Sequence, residues 1–396
     1  MEKEVLKLLS KFENRTMKIV LTGVETNNKG AELMLYAVLQ EIERKFPNST
    51  VYVEAWTVPQ GLDYLKTGVK LRYWPYSAFV DKLHLEGIFS RLHIPTYVLK
   101  DTRAVKADYF LDGSGFCFSD QCGMWGRKAD WWESLLKRQL NCGAKIVFLP
   151  QAFGPLSEEN TKEAIRVLNR YASLIMPREA VSYEYLEKSG LVDMKKVRTY
   201  TDFTSLVEGS FPKKYEYLRN GICIIPNMKM IEKGAVTYDD YIRLLISIIQ
   251  EGKKSGHSVY LLNHEGTKDE QLAYRCRDNI GEDIEVVTGL NALETKGMIS
   301  SSYLVVTSRF HGLASALNCG VPSLATSWSH KYKSLFLDYE LDDSYILPLD
   351  NVEKAIAQVK ILLGTDENKR LRKHINEQVP RIKMQTKEMW NQVWNL

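Results

Sequence analysis

Two hydrophobic rhythms alternate along this chain. Short apolar runs rich in β-branched residues give way to longer stretches in which apolar residues recur every three or four positions. The run KIVLTG at residues 18–23 reads as a buried strand. Residues 30–46 then place Leu33, Leu35, Val38, Leu39 and Ile42 at the spacing of an amphipathic helix. TVYVEAW at residues 50–56 is a second strand, and DYFLDGSG, KIVFLPQAFGP, SLIMPRE and VRTYTD are further strand candidates with helices between most of them. Alternating strand and helix predicts an α/β fold with parallel sheets covered on both faces.

The rhythm breaks at residues 203–221, FTSLVEGSFPKKYEYLRNG, a polar stretch with Pro and Gly that reads as an interdomain linker. It restarts with GICIIPN, a helix over 238–253, HSVYLLNHEG, a helix near 269–277, DIEVVTG, YLVVTSRFHG and VPSLATSWSH, and closes with helices near 352–363 and 367–395. The expected architecture is two Rossmann-like domains facing a cleft, residues 1–205 and 206–396. By analogy with bilobed enzymes, the last helix is free to return to the first domain. A short polar helix is expected ahead of the first strand.

In open α/β sheets ligands bind beyond the carboxyl ends of the strands, so the residues just past each run are the candidate site. The first domain offers Asn28 and Gly30 in TNNKGAE, Asp112 and Gly113 in DGSG, Gln151, then Arg178, Glu179 and Asp202. The second offers Asn227, then Asn263, His264 and Glu265, then Ser308, Arg309, Phe310 and His311, then Ser327, Ser329, His330 and Lys331. Strand ends always carry loops and so polar residues. Arg and His directly after apolar strands are less readily explained that way. Arg309 and His311 flank Phe310 where a strand meets a helix. There a guanidinium can hold a carboxylate or phosphate, the helix dipole adds to it, and a histidine exchanges protons near neutral pH. Arg178 and Lys331 add positive charge, and with His330 they favour an anion-handling site. NNKGAE reads as a capped helix start suited to anions or hydroxyl-rich ligands; it is neither GxGxxG nor a P-loop.

Bulk properties narrow the class. Hydrophobic residues make up 44% and charged residues 26%, the range of soluble globular proteins. With 53 basic against 49 acidic residues, the net charge of +4 is too mild for a nucleic-acid binder. It suits small anionic substrates or a weakly basic patch at anionic lipid. Six scattered cysteines, with Cys117 and Cys122 lacking a second pair or a nearby histidine, indicate neither a disulfide framework nor zinc. No HExxH, GxSxG or acidic cage is present, so no metal or serine triad is expected. A reducing cytoplasm fits best, with no signal peptide and no apolar run of membrane-spanning length. On that reading the sequons at Asn14 and Asn48 are chance matches. Residues 123–140, GMWGRKADWWESLLKRQL, read as an amphipathic helix whose Trp131, Trp132, Leu135 and Leu136 favour core packing over a membrane surface. Residues 87–106, basic and apolar by turns, are the better candidate for a peripheral membrane or acceptor-facing contact.

NNKGAELML, DGSGF, LPQAFGP, PREAVSYEYL and SRFHGLASALNCGVPSLA, in this order over roughly residues 17–337, resemble the polysaccharide pyruvyl transferase family. The last motif is the most specific. Residues 57–106, where acceptor specificity is expected, and the C-terminal tail match poorly. The resemblance implies a bilobed fold like that of GT-B glycosyltransferases. It also implies transfer of the pyruvyl group of phosphoenolpyruvate to two hydroxyls of a sugar, giving a cyclic ketal in capsule, exopolysaccharide or cell-wall glycan synthesis. The acceptor is expected to be lipid-linked or nucleotide-linked, and phosphoenolpyruvate is a co-substrate, with no cofactor. The family's motif assigns Arg309 and His311 to phosphoenolpyruvate binding and catalysis, and its RE motif corresponds to Arg178. On this reading His311 protonates the methylene carbon. Arg178, Arg309, Phe310 and Lys331 form the phosphoenolpyruvate site. Asp112 or His330 takes the acceptor proton, and the acceptor lies near Asn28, Gly30, Gly113 and Gln151. The competing readings on the same architecture are a nucleotide-sugar glycosyltransferase and a non-catalytic glycan-binding protein.

Overall fold

The structure is a computed structural model that describes residues 16–54, 71–73, 105–281, 283–327 and 329–396. In chain order the first unit comprises β1 (Lys18–Thr22), α1 (Lys29–Lys45), β2 (Thr50–Glu54), β3 (Leu71–Tyr73), β4 (Tyr109–Asp112), α2 (Ala129–Asn141), β5 (Lys145–Gln151), α3 (Glu159–Tyr171), β6 (Leu174–Pro177) and α4 (Ala180–Ser189). The second comprises β7 (Ile222–Ile225), α5 (Tyr238–Lys254), β8 (Val259–Leu262), α6 (Gly266–Ile280), β9 (Glu285–Val287), α7 (Ala292–Ser300), β10 (Leu304–Thr307), α8 (Phe310–Asn318), β11 (Ser323–Ala325), α9 (Lys331–Asp338), α10 (Val352–Leu363) and α11 (Thr365–Trp394).

Every described strand pair is parallel. The first sheet runs β3-β2-β1-β4-β5-β6 and the second β11-β10-β7-β8-β9. Both orders start at a central strand, step outward, and return to its other side. Each sheet therefore has one point where the crossovers diverge, between β1 and β4 and between β7 and β10. Divergence opens a crevice at the carboxyl edge of the sheet, and ligands of doubly wound folds sit there. The central strands carry continuous buried apolar runs because helices cover both faces: Ile19, Val20 and Leu21 in β1, and Ile222, Cys223, Ile224 and Ile225 in β7, are all buried.

VRTYTD forms no strand; Val197 contributes a single parallel bridge to Ile175. The run ends instead in Asp202, which caps a 3-10 turn at Phe203–Leu206. The expected linker is not a solvated tether, since Phe203, Thr204 and Ser205 are buried and the Lys296 ammonium donates to the Thr204 carbonyl at 3.0 Å. Residues 123–140 divide into a 3-10 turn, Gly123–Gly126, and α2. Trp132 is fully buried and the Arg127 guanidinium lies 3.8 Å from the Trp131 ring centre, so this stretch is core and its flank.

α11 joins the two units. Its first half, through Leu371, Ile375 and Ile382, packs into the second core. Its last turns carry Met389, Trp390, Val393 and Trp394 into the first. Trp394 stacks on Trp390 with centroids 5.4 Å apart, and its indole N–H donates to Glu41 at 2.8 Å. The last helix thus returns to the first domain. The expected lead helix and most of residues 87–106 lie outside the described residues. Among the described residues, no helix is long and apolar enough to cross a membrane.

Candidate active site

The two crevices face each other across one cavity of about 710 Å³. From the first unit it is lined by Gly23, Val24 and Glu25 after β1, Asn28, Ala31 and Met34 at the start of α1, Ser114, Gly115 and Phe116 after β4, Gln121, Cys122, and Arg178 after β6. From the second come Asn227, Lys229, Glu232 and Lys233 after β7, His264 and Glu265 after β8, Arg309, Phe310 and His311 after β10, and Lys331 and Tyr332 at the start of α9. Both divergence points are therefore represented. Gly23 has φ +77, and a Cβ there would lie 2.3 Å from the Ser114 hydroxyl, which shows how closely the β1 and β4 turns approach.

The domains touch around this cavity. Asn28 bridges Glu265 in antiparallel fashion, and the Lys29 amide donates to the His264 carbonyl at 3.2 Å. The Arg178 guanidinium lies 3.9 Å from the Phe310 ring centre, and the Lys331 ammonium lies 3.8 Å from that of Phe116. Each is a cation over an aromatic face contributed by the opposite unit, at cation–π range.

His311 sits in the first turn of α8. Its Nε2 lies 3.3 Å from Asp202 Oδ2. A Cβ added to Gly30 would come within 2.2 Å of its Nδ1, so only glycine admits the ring. Asp202 is buried, and its other oxygen accepts the Thr204 amide at 3.0 Å. Burial alone would raise its carboxyl, but His311, Arg178 and Thr204 outweigh that and hold it well below the usual range. Arg178 Nη1 lies 3.9 Å from Asp202 Oδ2, the oxygen that faces His311, and its Nε 3.8 Å from Glu179.

Arg309 is buried and presents two edges. Its Nε donates to Asp269 Oδ2 at 2.8 Å, joined by Nη2. Its Nη1 contacts Glu265 Oε2. Burial pushes the guanidinium down to about 10 and the Asp269 carboxyl up to about 7. Direct contact offsets the cost that each alone would incur. Glu265 Oε1 also lies 3.7 Å from Lys229 Nζ. Lys331 is pushed down to about 7 by burial and by nearby Arg178. His264, buried beside Arg309, is held well below its ordinary value by desolvation.

Of the residues singled out from the sequence, Asn28, Arg178, Asn227, His264, Glu265, Arg309, Phe310, His311 and Lys331 line the cavity. Asn28 spends its side-chain oxygen on the amides of Gly30 at 2.9 Å and Ala31 at 3.3 Å, which makes it the cap of α1. Phe310 carries Arg178 on its face. Asp112, Gln151 and Gly113 are not among the residues that line the cavity. Asp112 is fully buried and accepts from Thr22, Ser114 and Gln151 at 3.0, 2.8 and 3.0 Å. It shapes the turn that presents Ser114, and no face of it is left for an acceptor proton. Gln151 is equally buried in that network, and Gly113 packs under Val24. His330 does not line the cavity; its Nε2 lies 3.5 Å from Glu179 Oε1 across the domain boundary. Gly30 acts by admitting His311.

Sequence reasoning placed Asp202 and Glu265 at strand ends without giving them roles, and it missed Lys229 and Asp269. Lys229 follows β7 in a single helical turn, and Asp269 belongs to the first turn of α6, where an acidic residue reads as ordinary dipole compensation. Among the described residues, no group of three or more His, Cys, Asp or Glu side chains is arranged to hold a metal ion.

A family model for polysaccharide pyruvyl transferases matches residues 28–330, and the chain belongs to that family. It is 22% identical over 357 residues to the amylovoran biosynthesis protein AmsJ of Erwinia amylovora, covering 80% of this chain and 84% of that protein. Among solved structures it is similar to the UDP-GlcNAc 2-epimerase of Neisseria meningitidis bound to UDP-GlcNAc, with TM-score 0.59, 11% identity, and 96% and 100% of the two chains covered. A glycosyltransferase of Rickettsia africae gives TM-score 0.55 at 12% identity, covering 96% and 99%. These likenesses establish the GT-B-like arrangement of two Rossmann-like domains.

Proposed function

We propose that the protein transfers the pyruvyl group of phosphoenolpyruvate to two hydroxyls of a sugar, forming a cyclic ketal during exopolysaccharide synthesis. The observation that carries this reading is the convergence of Arg178, Lys229, Arg309 and Lys331 on one interdomain cavity that also holds a histidine backed by a buried carboxylate. Phosphoenolpyruvate carries a phosphate and a carboxylate on three carbons, and two anionic groups so close require several cations.

The reaction begins with a proton for the methylene carbon, which creates an oxocarbenium centre at the carbon bearing phosphate. With Nε2 turned to Asp202, His311 keeps Nδ1 for this transfer, and Asp202 stabilises the protonated ring. One sugar hydroxyl attacks the cationic carbon. Phosphate then leaves with both electrons of its C–O bond, and the second hydroxyl closes the ring. Of the two hydroxyl protons, one balances that gained by the methyl group and the other leaves with phosphate. Arg178 and Lys331 offset the charge that builds on the departing phosphate. Glu25 lines the cavity from the first unit and burial raises its carboxyl, which suits it to accept a hydroxyl proton. The acceptor, lipid-linked or nucleotide-linked, approaches over Gly23, Ser114 and Gly115.

The experiment is incubation with phosphoenolpyruvate and a panel of lipid- and nucleotide-linked galactose, mannose and N-acetylmannosamine, following phosphate and nucleotide release. Phosphate released only with an acceptor supports the reading. Nucleotide released with phosphoenolpyruvate untouched favours a glycosyltransferase, and sugar binding without turnover favours a glycan-binding protein.

A further inference from the structure

Arg309 is poorly placed to meet a substrate as it stands. Its Nε and Nη2 edge is committed to Asp269, which is 1% exposed and is itself fixed by the Met228 amide at 2.9 Å. That contact is part of the scaffold. The remaining nitrogen, Nη1, is covered by Glu265, whose side chain is 23% exposed and lines the cavity. The second oxygen of Glu265 faces Lys229, whose side chain is 42% exposed. Glu265 is thus a solvent-reaching carboxylate set between two cations. It occupies the position that an anionic group of a ligand would take.

We infer that Glu265 is an internal stand-in for the substrate's anion, and that a phosphate or carboxylate group entering between Arg309 and Lys229 displaces it. The inference rests on the anion-binding reading of this cavity. Displacement is cheap on geometric grounds. The backbone contacts at this corner, the Asn28 to Glu265 bridge and the Lys29 amide on the His264 carbonyl, do not involve the Glu265 side chain. The carboxylate can swing out while the domains stay in contact. Asp269 cannot follow, because it is enclosed and hydrogen-bonded. In the empty cavity Glu265 keeps two cations from repelling each other. With ligand bound it sets the threshold that an anion must exceed, and weakly charged ligands fail to do so.

The test uses the whole protein and inorganic phosphate as the probe, with phosphoenolpyruvate in parallel. Glu265→Gln keeps the shape and removes the charge. Phosphate is expected to bind the variant about tenfold more tightly, equivalent to about 1.4 kcal/mol. In thermal melts the variant unfolds at lower temperature without phosphate and gains more from its addition than the wild type does. Glu265→Asp keeps the charge on a shorter arm and is expected to fall between the two. Unchanged or weakened phosphate binding in Glu265→Gln, with the fold intact by circular dichroism, overturns the inference and makes Glu265 a fixed partner of Arg309. If the variant does not fold, Glu265→Asp decides by the same titration: unchanged or weaker binding overturns the inference. Tighter phosphate binding in a protein that never consumes phosphoenolpyruvate leaves the inference standing and defeats the pyruvyl transfer reading instead.

Discussion

The two crevices have the same strand order and opposite chemistry. At the first, between β1 and β4, the cavity wall is Gly23, Val24, Ser114 and Gly115, with Glu25 the charge contributed there. At the second, around β7 and β10, it is Asn227, Lys229, Glu232, Lys233 and Arg309. One wall is small and, apart from Glu25, uncharged, the other a field of ions. The doubly wound sheet supplies a crevice in either case. What enters is decided by a few residues at the strand ends. The first wall suits a neutral, hydroxyl-rich body approaching backbone closely, and the second a compact anion. Arg178 and Phe116 are the first unit's principal reach into the anion side, each paired across the boundary with a partner from the second.

This contrast can be broken at several points. The largest effect is expected for His311→Ala, which should lower phosphate release by about a hundredfold to ten-thousandfold while phosphoenolpyruvate binding, read by calorimetry, stays largely intact. Near-normal turnover would remove His311 from the chemistry. Arg178→Met should lower kcat/KM for phosphoenolpyruvate by about a hundredfold, since it removes a desolvated charge from the cavity wall. If only the acceptor KM moved, Arg178 would belong to the other side of the contrast.

Gly30→Ala places a methyl group where His311 now lies, at 2.2 Å from Nδ1. Displacing a reacting group by about 1 Å is expected to cost up to about a hundredfold in kcat, with the first sheet's circular dichroism unchanged. Lys331 sharpens the comparison through pH. Its folded value of about 7 lies below that of a free lysine, so it loses its charge as pH rises through about 7. Phosphoenolpyruvate KM should rise several-fold above that point, and Lys331→Arg, which stays charged, should flatten the rise.

The smallest effect is on stability. The Asp202 carboxyl is held below its unfolded value of about 3.9. Its contribution is therefore complete above that value and lost as pH falls through and below it. Asp202→Asn should flatten the acid limb of Tm against pH by a few degrees relative to wild type. An unaltered limb would mean that the Asp202 contact with His311 carries no charge interaction.

The sequence exposed the alternation of strand and helix clearly, because buried parallel strands are continuous apolar runs and their covering helices are amphipathic. It exposed β3 poorly, since a three-residue strand containing Arg72 has no period to read. Reading strand ends found Arg178, Arg309 and His311. It also nominated Asp112 and Gln151, because a strand-end position does not say whether a side chain faces the crevice or turns under it. Asp202 stood among the strand-end candidates without a role, because its contact with His311 joins the two units and has no trace in the local sequence. The ionic partners of Arg309 lie forty and forty-four residues away on another strand-to-helix turn. Such pairing belongs to tertiary structure and leaves no local signature.

The central claim is that one cavity joins an anion wall to a hydroxyl wall for pyruvyl transfer. Its most direct test is phosphate release from phosphoenolpyruvate with a sugar acceptor, paired with detection of the new ketal methyl group by NMR. The account predicts phosphate and ketal in equal amounts, both lost in His311→Ala. Ketal absent while phosphate appears, or nucleotide released from a nucleotide sugar with phosphoenolpyruvate intact, would contradict it.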